Sequence, residues 1–371
     1  MEEELEIGTV FLQGVRNVKA YYLSYIKMGS VYLYQSILTR KKGMSFYDNK
    51  TILITGGTGS FGNAFTSRLL NNHNPHSIRI YSRGEYLQWK MQQKLSDTRL
   101  RFFIGDVRDK ERLTRALNDV DIVIHAAALK QVPACEYNPI EAVRTNIDGA
   151  TNLIDASIDN GVERLLALST DKAVHPVNLY GATKMVAEKL FVQGNAYSGK
   201  KTTRFSCVRY GNVVGSRGSI VPLFKKQEEE GKITITDPRM TRFWLTLDQG
   251  AAFVDSCTQV MKGGEIFVPK IASMKITDLA KAMAPGIPHE IIGIRPGEKI
   301  HEVLITEDEA HHTRDLEGYY IIDPEISFRN GHKRNHTYTL PEGFRYSSET
   351  NTEWLDEEGL RQMLAESSHS D

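Results

Sequence analysis

Short apolar runs alternate with stretches of helical spacing through most of the chain. TILIT at 51–55 has a buried-strand pattern; a glycine-rich turn follows, then FTSRLL at 65–70, whose apolar residues recur at helical spacing. IRIYS at 78–82 predicts a second strand and LRFFIGDVRD at 100–109 a third, ending in Gly105 and Asp106. A helix is expected over 111–117, capped by Asp109. DIVIHAAA at 121–128 predicts the fourth strand, LLALS at 165–169 the fifth, and the run from Thr203 a sixth. Strands alternating with helices imply an α/β fold. Past residue 210 the pattern loosens. ITDLAKAM at 276–283 predicts a short helix, IRPGEK at 294–299 a sharp Pro-Gly turn, and WLDEEGLRQML at 354–364 an amphipathic helix, while 330–350 reads as irregular.

The turn after the first strand holds Gly56, Gly59 and Gly62. Strand, tight turn and helix in this order form a dinucleotide-binding unit. Gly56 lets the chain turn, Gly59 lets a pyrophosphate approach the backbone, and Gly62 lets helix and strand pack closely. N–H groups at the helix start favour phosphate charge. Thr58, Ser60 and Phe61 complete the candidate cradle. Arg83 ends the second strand, where a dinucleotide's adenosine ribose lies; an arginine suits a 2′-phosphate and hence NADP, while Glu85 keeps NAD open. Asp106, beside Val107, is a candidate acceptor for the adenine amine. The small residues Ala126 and Ala127 leave room for ribose, and Lys130 follows at the same sheet edge.

RLLALSTDKAVHPVNLYGATK carries the candidate chemistry. Thr170, Asp171 and Lys172 arrive together at the end of the fifth strand. Tyr180 and Lys184 are four apart at a helix start, so phenol and ammonium share a face. A nearby ammonium favours phenolate, giving a tyrosine able to exchange a proton as hydride moves. Asn212 and Arg217 lie in a Gly- and Arg-bearing loop after the sixth strand. Arg239, Arg242 and Arg295, the last beside Glu298, are candidates for a diphosphate, whose oxygens match the guanidinium fork.

Lys+Arg and Asp+Glu are both 46 in 371 residues, so no bulk charge calls for nucleic acid or an anionic membrane. Cys135, Cys207 and Cys257 are widely spaced and read as reduced cytoplasmic thiols. No metal motif is present; His311, His312, His332 and His336 lack ligand spacing. Residues 20–38 have the length of a membrane span, but Lys27, Gly29 and Gln35 make them too polar. The division expected is an N-terminal extension over 1–45, with Met44 a natural start; a dinucleotide-binding core over 46–210; a mixed region over 211–364 holding the substrate lobe and returning elements of the core; and a frayed tail over 365–371.

ILITGGTGSFG, FFIGDVRD, HAAALKQVP, LSTDKA, NLYGATK, RYGNVVGSRGS, MTRFW, GGEIFVPK, IRPGEKIHE and NTEWL together resemble the extended short-chain dehydrogenase/reductase family. Within it the chain is similar to the inverting UDP-N-acetylglucosamine 4,6-dehydratases of pseudaminic acid synthesis, from about Lys50 to Leu364. One departure is SRGE at 82–85, where the family usually has SRDE. The resemblance implies a Rossmann-type doubly wound parallel sheet with a smaller C-terminal substrate-binding lobe, a tightly held NADP, and a homo-oligomer. It implies oxidation at C4 assisted by Tyr180 and Lys184, loss of water across C5 and C6 served by Asp171 and Lys172, return of hydride to C6, and protonation at C5 on the opposite face. Lys172 is expected to be the base, its pKa lowered by burial and by Lys184; Asp171 is expected to be the acid. A UDP-sugar 4-epimerase, a capsule-type C5-epimerising dehydratase and an idle NADP-binding protein are the alternatives. Capsule-type relatives usually have methionine at the position of Tyr180, and an epimerase has no evident use for Asp171 and Lys172.

Overall fold

The computed structural model describes residues 45–199, 201–216, 219–325 and 340–368. Arg217, His332 and His336 lie outside the described residues, as does nearly all of the N-terminal extension. Ser45–Asp315 and the residues from Tyr319 onward form one compact unit, and in the turn before Tyr319 Gly318 has φ +82°.

All five residues of β1 (Thr51–Thr55) are buried, because parallel neighbours flank it: β2 (Ser77–Ser82) on one side and β4 (Ile122–His125) on the other. A strand so placed has no polar face, which is why its sequence does not alternate. β3 (Leu100–Ile104) extends one wing; β5 (Arg164–Leu168) and β6 (Arg204–Val208) extend the other. Returning strands follow: β10 (Ile266–Pro269), parallel to β6, and β15 (Tyr319–Ile322), antiparallel to β10. With β14 (Thr313–Leu316) the sheet has nine strands among the described residues, in the order β14-β15-β10-β6-β5-β4-β1-β2-β3. Strand order reverses between β1 and β4, the switch point at which α/β sheets bind ligands. This is the doubly wound sheet expected.

The helix Ser60–Asn72 buries Gly62, Phe65, Thr66 and Leu69, one face at helical spacing. Asp109 caps the helix Lys110–Ala116 by accepting from the Arg112 N–H at 2.9 Å. β4 ends at His125, short of the expected Ala128, because the chain turns there across the Gly56 backbone. The long helix Leu179–Tyr197 is capped by Asn178, whose Oδ1 accepts from Gly181 N–H at 2.7 Å.

The smaller lobe has its own apolar core, including Val221, Phe224, Trp244 and Leu279. Around it β9 (Thr241–Leu245) lies between β7 (Asn212–Val213) and β11 (Ser273–Lys275), and β8 (Ile233–Ile235) pairs with β12 (His289–Ile291). β13 (Val303–Ile305) pairs with β16 (Tyr346–Ser347), a two-residue strand inside the stretch expected to be irregular. The helices at Ile276–Met283 and Glu357–Ser368 fall where the pattern predicted them. No helix among the described residues is long and apolar enough to cross a membrane.

Candidate active site

The glycine turn is shaped by close approach. Gly56 has φ +65°, and a Cβ there would stand 2.8 Å from Ala127 N. A Cβ on Gly62 would stand 2.3 Å from Gly57 O, so this glycine packs the helix against its own turn, not against the strand as expected. Gly59 is the N-cap of Ser60–Asn72, and no side chain caps that end. Within 4 Å of a Cβ on Gly59 only Gly56 O is found, leaving a backbone-lined cradle at a helix N-terminus. Thr58 is buried, and Phe61 stacks on Phe65 at 5.5 Å.

Arg83 is exposed at the end of β2, with its guanidinium 3.6 Å from Asp106. The Asp106 carboxylate is already engaged: it accepts from Arg108 Nε at 3.0 Å and from a terminal guanidinium nitrogen at 2.7 Å. Burial pushes the Asp106 pKa up, but Arg108 and Arg83 outweigh it and the net shift is downward. Oδ1 accepts from the Arg108 N–H at 3.0 Å and keeps a further lone pair, so the pairing with Arg108 leaves acceptor capacity for an adenine amine. Val107 is buried in the main core, where a Cβ on Gly149 would meet its methyl at 2.8 Å.

Ala126, Ala127 and Lys130 lie on the segment after β4. Asn146 clamps that segment: its Oδ1 accepts from Leu129 N–H, and its Nδ2 donates to Leu129 O and Thr183 Oγ1, each at 2.9 Å. Beneath it, His125 is buried with Nδ1 2.7 Å from Thr55 Oγ1. Burial first, then the Lys184 charge, push the His125 pKa down to about 3, so the ring is neutral. No local sequence pattern assigns a role to Asn146 or His125.

Asp171, Lys172 and Tyr180 come together because a one-turn helix, Asp171–Ala173, lies directly on the start of Leu179–Tyr197. Gly181 permits the contact, since a Cβ there would stand 2.1 Å from Lys172 O. Tyr180 is 8% exposed and Asp171 fully buried. Lys172 Nζ donates to Asp171 Oδ1 at 3.0 Å, and Thr170 Oγ1 donates to the same oxygen at 2.7 Å. Asp171 Oδ2 is buried without a hydrogen-bond partner.

Two electrostatic expectations are corrected. Burial lowers the Lys172 pKa, but Asp171 and Glu302 raise it more, and the net shift is upward, so Lys172 is an ammonium at neutral pH. Lys184 plays no part in that balance. Burial pushes Tyr180 up to about 12, and the groups that oppose this are Lys172 and a hydrogen bond with Thr170. Lys184 Nζ instead donates to Leu168 O at 2.6 Å, and burial lowers its pKa.

Glu302, which sequence reasoning did not single out, closes the cluster. It is 2% exposed, with Oε1 3.5 Å from Lys172 Nζ and 3.8 Å from Arg242 Nε, and Oε2 3.7 Å from Lys299 Nζ. Arg242 is buried, and its guanidinium donates to Thr241 O, Lys299 O and Ile300 O. Its donors thus organise the lobe's backbone where a diphosphate role was expected. Arg295 is half-exposed, 4.0 Å from Glu298 on the Pro-Gly turn. Asn178 Nδ2 donates to Gly297 O at 2.8 Å and holds that turn to the start of the helix Leu179–Tyr197. Asn212 Oδ1 and Glu298 Oε2 are buried without a hydrogen-bond partner, as a site awaiting polar ligand groups would have them. Arg239 is not brought to the cluster. It pairs with Asp237 at 2.7 Å and lines a separate open cleft with Lys275, His301, Glu349 and Trp354.

The polysaccharide biosynthesis protein family matches residues 52–324. A UDP-N-acetylglucosamine 4,6-dehydratase (inverting) of Campylobacter jejuni is 54% identical over 327 residues, 86% of this chain and 98% of its own. A UDP-glucose 4-epimerase of Rickettsia akari is 45% identical over 282 residues, 74% of this chain and 83% of its own. Pen from Bacillus thuringiensis, known from an X-ray structure, is 38% identical with a TM-score of 0.80, over 87% of this chain and 99% of that one.

Proposed function

Since this chain belongs to the polysaccharide biosynthesis protein family, among the extended short-chain dehydrogenase/reductase nucleotide-sugar dehydratases and epimerases, we propose that it is an inverting UDP-N-acetylglucosamine 4,6-dehydratase. The product is UDP-2-acetamido-2,6-dideoxy-β-L-arabino-hexos-4-ulose. The observation that carries this reading is the Asp171–Lys172 pair beside Tyr180, with an unpartnered buried carboxylate oxygen.

The Gly56–Gly62 turn fits a nicotinamide dinucleotide, its phosphates at the Ser60–Asn72 N-terminus. Arg83 makes NADP the preferred form. Bound there, the cofactor supplies a hydride acceptor for C4 and a hydride donor for C6.

Burial keeps Tyr180 a phenol at rest. It acts from its ionised form, stabilised by the Lys172 ammonium, and in that form removes the C4 hydroxyl proton as the ketone forms. The ketone acidifies the C5 proton. One internal transfer then prepares elimination: a proton passes from Lys172 Nζ to Asp171 Oδ1 along their 3.0 Å hydrogen bond, leaving an amine and a carboxylic acid. The amine takes the C5 proton, the acid protonates the departing C6 oxygen, and water leaves. The pair returns to ammonium and carboxylate, the charges it held at rest. As hydride returns to C6, the proton that Tyr180 took from the C4 hydroxyl is the one delivered to C5 on the opposite face, and Tyr180 is restored for the next cycle.

Incubation with UDP-N-acetylglucosamine, with the product read by NMR, tests the function. The inverted 4-keto-6-deoxy sugar is expected; UDP-N-acetylgalactosamine would make the protein an epimerase instead. Denaturing the purified protein and identifying the released nucleotide tests the cofactor, NADP being expected and NAD contradicting the role given to Arg83.

A further inference from the structure

Asp171 and Lys172 lie on the one-turn helix Asp171–Ala173 that follows β5, whereas Glu302 belongs to the segment that leads into β13, together with Lys299. The Glu302 backbone is fixed from both sides: its N–H donates to Ser348 Oγ at 2.9 Å and its carbonyl accepts from Ser348 N–H at 2.8 Å. Ser348 Oγ is in turn 2.7 Å from Thr241 Oγ1 on β9. The carboxylate is therefore held at a set place by the Ser348 segment beside β16 and by β9, and it faces the lysine on the one-turn helix after β5. Its oxygens face three cations, yet among the described residues Oε2 has no hydrogen-bond partner. A buried carboxylate with three cations and an unfilled acceptor is more than a closed structural ion pair requires.

We propose that Glu302 is a positioning residue for proton transfer at C5: as the second carboxylate partner of Lys172 it fixes where Nζ stands relative to the sugar. Asp171 alone cannot do this. It adjoins Lys172 in sequence, and its Oδ1 is shared with Thr170 Oγ1. The pull from Glu302 gives Nζ a second anchor from a separate element, so the nitrogen keeps its place between Asp171 and Glu302 as elimination proceeds. The groups facing Lys172 are Asp171 on its own turn, Tyr180 on the helix, Arg242 on β9, and Lys299 and Glu302 on the approach to β13. Among the described residues, Glu302 is the carboxylate in this group that comes from outside the Lys172 turn.

This inference rests on the dehydratase reading, and its test separates the two. Wild type, Glu302→Gln and Glu302→Asp are loaded with UDP-N-acetylglucosamine in deuterated water. Cofactor reduction, C5 exchange and the KM and kcat of product formation are read separately. In Glu302→Gln, cofactor reduction and KM are expected to stay at wild-type values, while C5 exchange and kcat fall about 10- to 100-fold, as for a misplaced acid–base group. Glu302→Asp, which keeps the charge on a shorter arm, is expected to recover part of the loss. Equal C5 exchange in wild type and Glu302→Gln overturns the proposal, as does a parallel loss of cofactor reduction and exchange, which marks a purely structural role. Should Glu302→Gln not fold, the comparison passes to Glu302→Asp, where unchanged exchange overturns the proposal and a selective loss supports it. Wild-type protein that reduces its cofactor but exchanges nothing at C5 overturns the dehydratase reading itself, and this proposal with it.

Discussion

The glycine cradle and the Lys172 cluster lie at the same sheet edge and are built on opposite principles. The cradle is made of backbone: a turn at Gly56, an uncapped helix start at Gly59, and a neutral His125 below. Its turn residues are close in sequence, while its floor, His125, comes from a distant strand. The cluster is made of charge. Asp171, Lys172, Arg242, Lys299 and Glu302 converge from the main sheet and the smaller lobe, and Lys299 lies 128 residues from the Asp171 carbonyl it approaches. Backbone dipoles suit a cofactor that binds once and stays. Mobile protons need side chains whose charge states respond to one another. The two regions meet on the helix Leu179–Tyr197, which presents Tyr180 to the cluster and Lys184 to the β5 end beside the cradle.

The strongest way to disturb both regions at once is to remove their common brace. Arg209 is buried between Glu188 on that helix and Glu309 near the end of β13, at 2.5 and 2.9 Å. Arg209→Met leaves two buried carboxylates without their cation and is expected to cost about 3–5 kcal/mol in urea unfolding. A cost near zero would mean the helix is held by packing alone. Next is the cradle. In Gly62→Ala the added methyl overlaps Gly57 O, with an expected cost of about 1–3 kcal/mol and loss of co-purifying nucleotide, while the cluster stays intact.

His125 gives the cradle a pH signature. The folded protein keeps the ring neutral, with its pKa pushed down to about 3, whereas the unfolded chain protonates near 6.5. The unfolded state therefore binds more protons, and stability falls as pH drops below about 6.5, by about 1.4 kcal/mol per unit until the folded pKa is reached. His125→Asn is expected to flatten that slope in melting temperatures taken from pH 7 to 5. An unchanged slope would place the acid sensitivity elsewhere. The smallest effect is at Gly84, the N-cap of Glu85–Leu95, where a Cβ would meet only Leu87 at an ordinary 3.4 Å. Gly84→Asp is expected to add a few tenths of a kcal/mol by capping that helix. Destabilisation there would show that the departure from SRDE is structurally required.

This contrast also explains what was legible in the sequence. Strands β1 to β6, the glycine turn and the Tyr180 helix are local patterns, and each lies within a few residues of its expected place. The misses are long-range. Nothing near Glu302 in sequence shows that it faces Lys172, and nothing near Lys184 shows that its ammonium is spent on the Leu168 carbonyl. Arg242 reads as a phosphate binder by residue type, yet its donors serve three backbone carbonyls that only the folded lobe brings within reach. Gly181 was part of a motif without a reason; the reason is a carbonyl nine residues earlier. Charge states were the least legible property, because a pKa depends on every group that packs against it.

The division between cradle and cluster is tested most directly by Lys172→Ala with UDP-N-acetylglucosamine deuterated at C5. If the cradle and Tyr180 carry out oxidation while the cluster moves the C5 proton, the variant reduces its cofactor and the sugar keeps its C5 label. Loss of the label to solvent at the wild-type rate would contradict that division and remove Lys172 from proton transfer.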